Sequence, residues 1–290
     1  SSLVINFVLE ETKIFRRATI ASIITSAYPM IVVGCYFGIT PWNMKRLSID
    51  ETDLSFSILI FGVFFVLSNQ IAGRILVPKY GTKLVMSLAF PIITFSTLLA
   101  IISSSYFYFL LTFISAGIGW GASGPIGGIH CQLIEKHFKK IVTPYYAMGF
   151  NIGILFGGAL AGIIMRYNFE PYFFFIVLSF FSIFVAFLVL YLGLPSNLDF
   201  KGKGEKFKIP ESNVLLFGFL LFFVFGSGGI IMDWSTLWLS KDLNTPLYLA
   251  SMGLIFFSVG GILANLFSNT LINIFTEKVV GCHFVMIGAS

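Results

Sequence analysis

Charge drops out of this sequence in long blocks. No Asp, Glu, Lys or Arg lies between Arg17 and Lys45, Asp53 and Arg74, Lys83 and Glu135, Lys140 and Arg166, Glu170 and Asp199, or Glu211 and Asp233. Each block reaches the roughly 20 apolar residues with which an α-helix crosses a bilayer. Only 11% of the residues are charged, against about 25% in soluble domains. The chain therefore reads as an all-α polytopic membrane protein. Its net charge of +5 is no nucleic-acid signal, because the basic residues sit in the short segments between blocks.

Eight complete spans are expected, at about 18–43, 54–77, 83–103, 106–133, 142–165, 171–194, 214–239 and 246–275, with the chain stopping part-way through a ninth. The first run is too long for a signal sequence and has no small-residue cleavage site, so it reads as a retained helix. Residues 3–9 form a short apolar patch before the charged 10–17 and read as an interfacial segment. Residues 195–213, with Lys201, Lys203, Lys206 and Lys208, read as a basic linker between an N-terminal half (1–194) and a partial C-terminal half (214–290). With the N-terminus inside, all Lys and Arg fall on the inner side except Lys45, Arg46, Arg166 and Lys241. The positive-inside rule then makes the N-terminus and the linker cytoplasmic.

The two ends share a pattern. Trp42, Leu47, Ser48 and Asp50 after the first span match Trp234, Leu239, Ser240 and Asp242 after the seventh, at one constant offset. Ser68-Asn69 and Gly81 match Ser268-Asn269 and Gly281 at a second, similar offset. Such repeats imply two parallel halves of about six helices, with a solute site between them near the midplane, as in secondary transporters.

The stretch Ala72–Lys83 resembles the signature between spans 2 and 3 of the major facilitator superfamily, Gly-x-x-x-Asp-Arg-x-Gly-Arg-Arg. Lys79, Gly81 and Lys83 take its basic, Gly and basic places. Pro78 stands at its Asp, Arg74 at its first Gly, and Gly73 one residue early. The resemblance implies a cytoplasmic gating loop of Gly73, Arg74, Lys79, Gly81 and Lys83, with the ion pair of the missing Asp in doubt. Gly149, Gly153, Gly157, Gly158 and Gly162 on span 5 resemble the antiporter signature of the same superfamily, with Ile154 at its Pro. On span 4, Phe113 stands where proton-coupled efflux members carry Arg. Both departures count against drug–proton antiport, and the glycines alone suit close helix packing. The segment Asp233-Trp234-Ser235 to Leu239 is similar to a bacterial inner-membrane branch related to fucose permeases, with Gly228 at the branch's Glu.

Asp233 is the one carboxylate well inside a span, where an ionisable group is costly and marks a functional site by default. Gly226, Gly229 and Asp233 recur at helical spacing. Asp233 reads as a solute ligand, a proton carrier or an interfacial residue, and the three stay open here. Tyr36 and Asn43 share a face of span 1 and suit a neutral polyol. His130 follows Ser123 on one face of span 4, and reads as facing the cavity or as a packed neutral ring. Asn151 lies roughly opposite the glycine stripe on span 5, which makes it a candidate pore-facing solute ligand. Trp42 and Trp234 read as interfacial anchors or, for Trp234, as a solute contact. Glu135 is expected to pair with a nearby Lys, and Cys35, Cys131 and Cys282 to be small buried hydrophobes. No nucleotide loop, metal cluster or nucleophile–base pair is visible, so no enzyme activity, cofactor or metal is expected.

The expectation is a major facilitator fold in the inner or plasma membrane. It would move a small, neutral, sugar-like solute by alternating access, with a proton as candidate coupling ion. Its partners are the solute and the bilayer, and the full-length protein is expected to be a monomer. An efflux antiporter and a non-transporting receptor or scaffold are the alternatives.

Overall fold

The computed structural model describes residues 2–200, 202 and 211–267. Ser268-Asn269, Gly281, Cys282, Lys278 and most of the basic linker fall outside them. Among the described residues there is no strand, and seven helices are long and apolar enough to cross a membrane. In chain order the helices are α1 (Ser2–Gly38), α2 (Thr40–Leu47), α3 (Glu51–Tyr80), α4 (Thr82–Ile102), α5 (Tyr106–Phe138), α6 (Thr143–Arg166), α7 (Pro171–Leu192), α8 (Ser212–Lys241) and α9 (Leu247–Phe267). The seven are α1, α3–α7 and α9. The 30-residue α8 runs between α7 and α9.

Three boundaries differ from expectation, each for a local reason. Residues 3–9 form no separate interfacial piece, because neither Gly nor Pro interrupts the sequence before Tyr28 and α1 runs through from Ser2. The first span ends at Gly38 instead of Asn43. Pro41 has no N–H to continue the ladder and instead sits in the first turn of α2. The expected loop 72–83 is helical as far as Tyr80. Pro78 cannot donate to the carbonyl of Arg74. A wide π-turn over Ala72–Leu76, in which Val77 N–H reaches Ala72 O, takes up the mismatch just before it. Gly73 and Arg74 therefore lie in a helix, and the chain breaks only at Gly81.

Helix α1 packs along α6, α3 and α4 pack on α5, and α7 backs α4. The glycine stripe is what brings α1 and α6 together. A Cβ on Gly149 would lie 2.3 Å from Ser26 Oγ, one on Gly153 2.3 Å from Ala27 O, and one on Gly157 2.4 Å from Ile31 O. The outward faces of α3 and α7 present Phe56, Val63, Ile71, Phe173, Phe180 and Phe187, as lipid-facing surfaces do. Helices α8 and α9 join this bundle at several points. Gly38 and Gly162 approach Ser251, Gly158 approaches Leu254, and Gly261 approaches Asn151. Lys241 Nζ meets Glu51 Oε1 at 2.5 Å, though both are about half exposed, so the pair contributes only about 0–1 kcal/mol.

The segment after α7 belongs to the first half. Leu194 is fully buried. Asp199 accepts hydrogen bonds from Thr82 N (3.0 Å), Thr82 Oγ1 (2.6 Å), Lys83 N (3.2 Å) and Phe200 N (2.7 Å). It thereby caps the start of α4, where the first N–H groups have no intrahelical partner. Gly81 is required twice over at this point. Its φ is +83°, and a Cβ would sit 2.6 Å from Asp199 Oδ2. Asp199→Ala is expected to cost about 2 kcal/mol, the scale of a lost cap plus unpaired N–H groups. A fall of several degrees in the melting temperature of the detergent-purified full-length protein checks this.

Candidate functional site

A cavity of about 800 Å³ lies where α1, α3, α4, α5, α6 and α8 converge. Its wall is mainly aromatic and aliphatic, with Phe37, Phe61, Phe65, Phe113, Trp120 and Phe150 among the rings. Helix α8 contributes Gly229, Met232 and Asp233, so the space is shared between the first half and the opening helix of the second.

The lining also carries hydroxyls, but most already donate to backbone. Thr25 Oγ1 donates to Ala21 O (2.7 Å), Ser26 Oγ to Ile23 O (3.0 Å), Thr97 Oγ1 to Ile93 O (2.8 Å), Thr112 Oγ1 to Phe109 O (2.6 Å) and Tyr146 Oη to Gly124 O (3.0 Å). Ser96 Oγ is held by Ile92 O and Ser115 Oγ. Two hydroxyls are different. Tyr36 Oη and Ser123 Oγ are buried without a hydrogen-bond partner in good geometry, although the Asn43 side chain lies beside the Tyr36 hydroxyl. Buried polar atoms are rarely left so, and here both border an 800 Å³ space. With Asp233, Tyr36 and Ser123 are lining residues whose side-chain polar atoms are not bonded to backbone. Among the described residues, no Lys or Arg lines the cavity.

Of the candidate solute ligands singled out in the sequence, Tyr36 and Asp233 are brought together on this wall, which Phe113, Ser123 and Gly229 also line. Asn43, His130, Asn151 and Trp234 are not among its lining residues. Asn43 is 2% exposed and ties the end of α4 to α2. Its Oδ1 accepts from Arg46 Nε (3.1 Å) and Nη2 (2.8 Å), and Arg46 Nη1 donates to Ser103 O at 2.5 Å. The same guanidinium lies 5.7 Å from the Trp42 ring centroid. Trp234 packs against the core of the first half. Asn151 donates to Ala147 O (3.1 Å) and abuts Gly261 of α9. His130 is fully buried beside Thr82, two turns along α5 from Ser123.

In the segment expected to gate, Lys79 stacks its ammonium 4.9 Å over the Tyr80 ring, while Gly81 and Lys83 meet Asp199. Glu135 forms no ion pair among the described residues. Its Oε1 instead caps α6, accepting from Val142 N (2.6 Å), Thr143 N (2.7 Å) and Thr143 Oγ1 (2.9 Å). Cys35 and Cys131 are free and buried. Sequence reasoning noted Ser123 only as a neighbour of His130. It missed Thr82, Trp120 and Asp199, whose roles depend on partners far away in the chain.

A bundle of membrane-length helices, with a cavity shared by its first five spans and the helix after the linker, defines an integral multi-pass membrane protein. The chain belongs to the Major Facilitator Superfamily, whose family model matches residues 18–290. It is 21% identical over 240 residues to an uncharacterized MFS-type transporter of Yersinia pestis, covering 81% of this chain and 61% of that protein. Its fold resembles that of a bacterial homolog to the human lysosomal transporter Spinster, solved in inward-facing occupied and unoccupied conformations. The TM-scores are 0.61 and 0.59, at 16% and 15% identity, covering 90% and 92% of this chain. The chain thus spans somewhat under two thirds of the length of these proteins. The matches are to the superfamily as a whole and assign no branch.

Proposed function

We propose that this chain works in a secondary transporter that carries a small solute by alternating access, with the cavity between α1, α5 and α8 as the solute site. The observation behind this reading is the cavity of about 800 Å³ whose lining brings Tyr36 and Ser123 of the first half together with Asp233 of α8. The solute is uncharged or carries a single donor-rich group. The described part of the wall carries no Lys or Arg to give an anion a counter-charge. A sugar-like molecule fits these three polar groups best if one of its faces is apolar, because the remaining hydroxyls are engaged and the rings supply mainly apolar surface. The coupling ion in this reading is a proton.

The test uses single cysteines at Ala116 and Gly229 in a cysteine-free full-length protein. Solute is expected to change their rate of modification by a membrane-impermeant thiol reagent severalfold, in opposite directions from the two sides of the membrane. A receptor or scaffold with this fold would show no such reciprocal change. In the same reading the N-terminus is cytoplasmic. Reporter fusions at Lys206 and Glu51 are expected to score on opposite sides, and a same-side score rejects the orientation.

A further inference from the structure

The buried contact between α4, α5 and the segment after α7 carries a chemical consequence beyond capping. Thr82 has one hydroxyl proton. Asp199 Oδ1 lies 2.6 Å from Thr82 Oγ1 while also accepting from Thr82 N and Phe200 N. An ionised carboxylate only accepts, so the hydroxyl proton points to Asp199. His130 Nδ1 lies 2.8 Å from the same hydroxyl oxygen. With that proton committed to Asp199, the hydrogen on the second contact has to come from the ring. A neutral imidazole has a single N–H, and here it is on Nδ1. The other nitrogen, Nε2, is left as a bare lone pair. It is buried and has no hydrogen-bond partner.

The ring is also close to the solute site. Ser123 and His130 are seven residues apart on α5, on one face and about 10 Å apart along the axis. Between them, at Gly127, the helix surface is crowded by Tyr146 Oη and Thr25 Cγ2, which would lie 2.8 and 3.1 Å from a Cβ there. Both residues line the cavity. The floor of the cavity therefore ends about one turn from His130. The charged groups felt by the ring are the Asp199 carboxylate and, more weakly, the Lys83 ammonium at the start of α4.

We propose that His130 Nε2 is a proton-binding site of the transport cycle, with Thr82 and Asp199 as its positioning residues. In the loading step, parting of the Thr25 and Tyr146 side chains at Gly127 lets a hydronium from the cavity reach the ring, transfer its proton to the Nε2 lone pair and leave as water. The ring becomes imidazolium, its Nδ1–H stays on Thr82 Oγ1, and Asp199 remains ionised. A buried charge is tolerated when it is paired, and Asp199 is that pair, acting through one hydroxyl. Because Asp199 lies on the segment leading to the second half, loading also changes how firmly that segment is held to α4. The role in transport rests on the reading above, whereas the proton site itself does not.

Two measurements on the full-length protein separate the ideas. The chain has three histidines, so His137→Gln with His283→Gln leaves His130 as the one imidazole of this chain, to be followed by NMR of a labelled ring. The expected neutral form is the Nδ1–H tautomer, converting to imidazolium on acidification. Thr82→Val is expected to scramble the tautomer. Asp199→Asn should weaken the imidazolium signal at least tenfold at the same pH. A neutral Nε2–H tautomer overturns the proposal. So does a ring that never protonates in the folded protein while solute accumulation still follows a pH gradient.

In proteoliposomes, His130→Gln is expected to lower the ratio of proton-driven accumulation to solute exchange at least tenfold, and an unchanged ratio also overturns the proposal. If the ring behaves as expected but the wild-type protein moves no solute from a broad panel, the proton site stands and the transport reading fails.

Discussion

Gly153→Leu is expected to remove at least nine tenths of the correctly folded full-length protein, read as the monodisperse peak on size exclusion in detergent. A Cβ at this position would lie 2.3 Å from Ala27 O and 2.6 Å from Met30 Cβ. The first obstacle is backbone and cannot rotate away, so α1 would have to lift from α6 along the whole contact. Inside a bilayer no hydrophobic effect pulls the helices back together. Their association rests on close packing and interhelical hydrogen bonds. The cost therefore exceeds the roughly 1–3 kcal/mol of ordinary overpacking. Gly157→Leu should behave likewise, since its Cβ would meet Ile31 O at 2.4 Å and Cys35 N at 2.6 Å. Gly62→Ala is the control. Nothing lies within 4 Å of its added Cβ, and Ala is the better helix former by about 1 kcal/mol, so its yield should match or exceed wild type. Normal yield of Gly153→Leu would show that the stripe does not hold this pair of helices.

How much of this was legible in the sequence follows from the range of the interactions. Spans could be read because each is set by its own apolar run, and most observed helices begin and end within a few residues of the expected ones. Helix α1, however, starts at Ser2, well before the expected first span, since nothing in 2–17 breaks a helix. Pro41 and Pro78 mark two of the places where expectation and structure part. Each acts on a hydrogen bond four residues away, and whether a helix then breaks, as at Ile39, or widens, as at Ala72–Leu76, depends on neighbouring helices. The glycine stripe was legible as a packing surface but not as a contact with α1 in particular. Tyr36 and Asp233 were legible as cavity groups, one by its place on span 1 and the other by the cost of a carboxylate within a span. Asp199 was not. It looks like one polar residue at the edge of a linker, and its four donors come from Phe200 and from the start of α4, far back in the chain. Asn43 and Asn151 show the reverse. Their amides satisfied the pattern of a polar group on an apolar helix, yet Asn43 is engaged by Arg46 and Ala100 O, and Asn151 by its own helix and Gly261.

Asp233→Asn is expected to weaken solute binding and exchange about 10- to 100-fold in the full-length protein, without selectively removing the response to a pH gradient. Asp233 lines the cavity on α8, and Tyr36 is near enough to feel its charge. Among the described lining residues no cation competes for the carboxylate, so it is available to accept from a solute donor. Hydrogen bonds to charged groups contribute about 1.5–3 kcal/mol, and each 1.4 kcal/mol is a factor of ten in affinity. The amide keeps the shape and one acceptor oxygen, so the loss is of charge more than of volume. Tyr36→Phe and Ser123→Ala should cost less, about 3- to 10-fold each, since neutral hydrogen bonds contribute about 0.5–1.5 kcal/mol. The three effects need not add, because the groups border one space. The measurement is counterflow of labelled solute together with accumulation under an imposed pH gradient. If Asp233 holds solute and His130 holds the proton, Asp233→Asn lowers both quantities together, and His130→Gln lowers accumulation disproportionately. Should Asp233→Asn instead abolish accumulation and leave counterflow intact, the proton sits on α8 and the division of roles is reversed. Should it change neither, Asp233 is no part of the solute site, and the cavity is read by Tyr36, Ser123 and its aromatic wall alone.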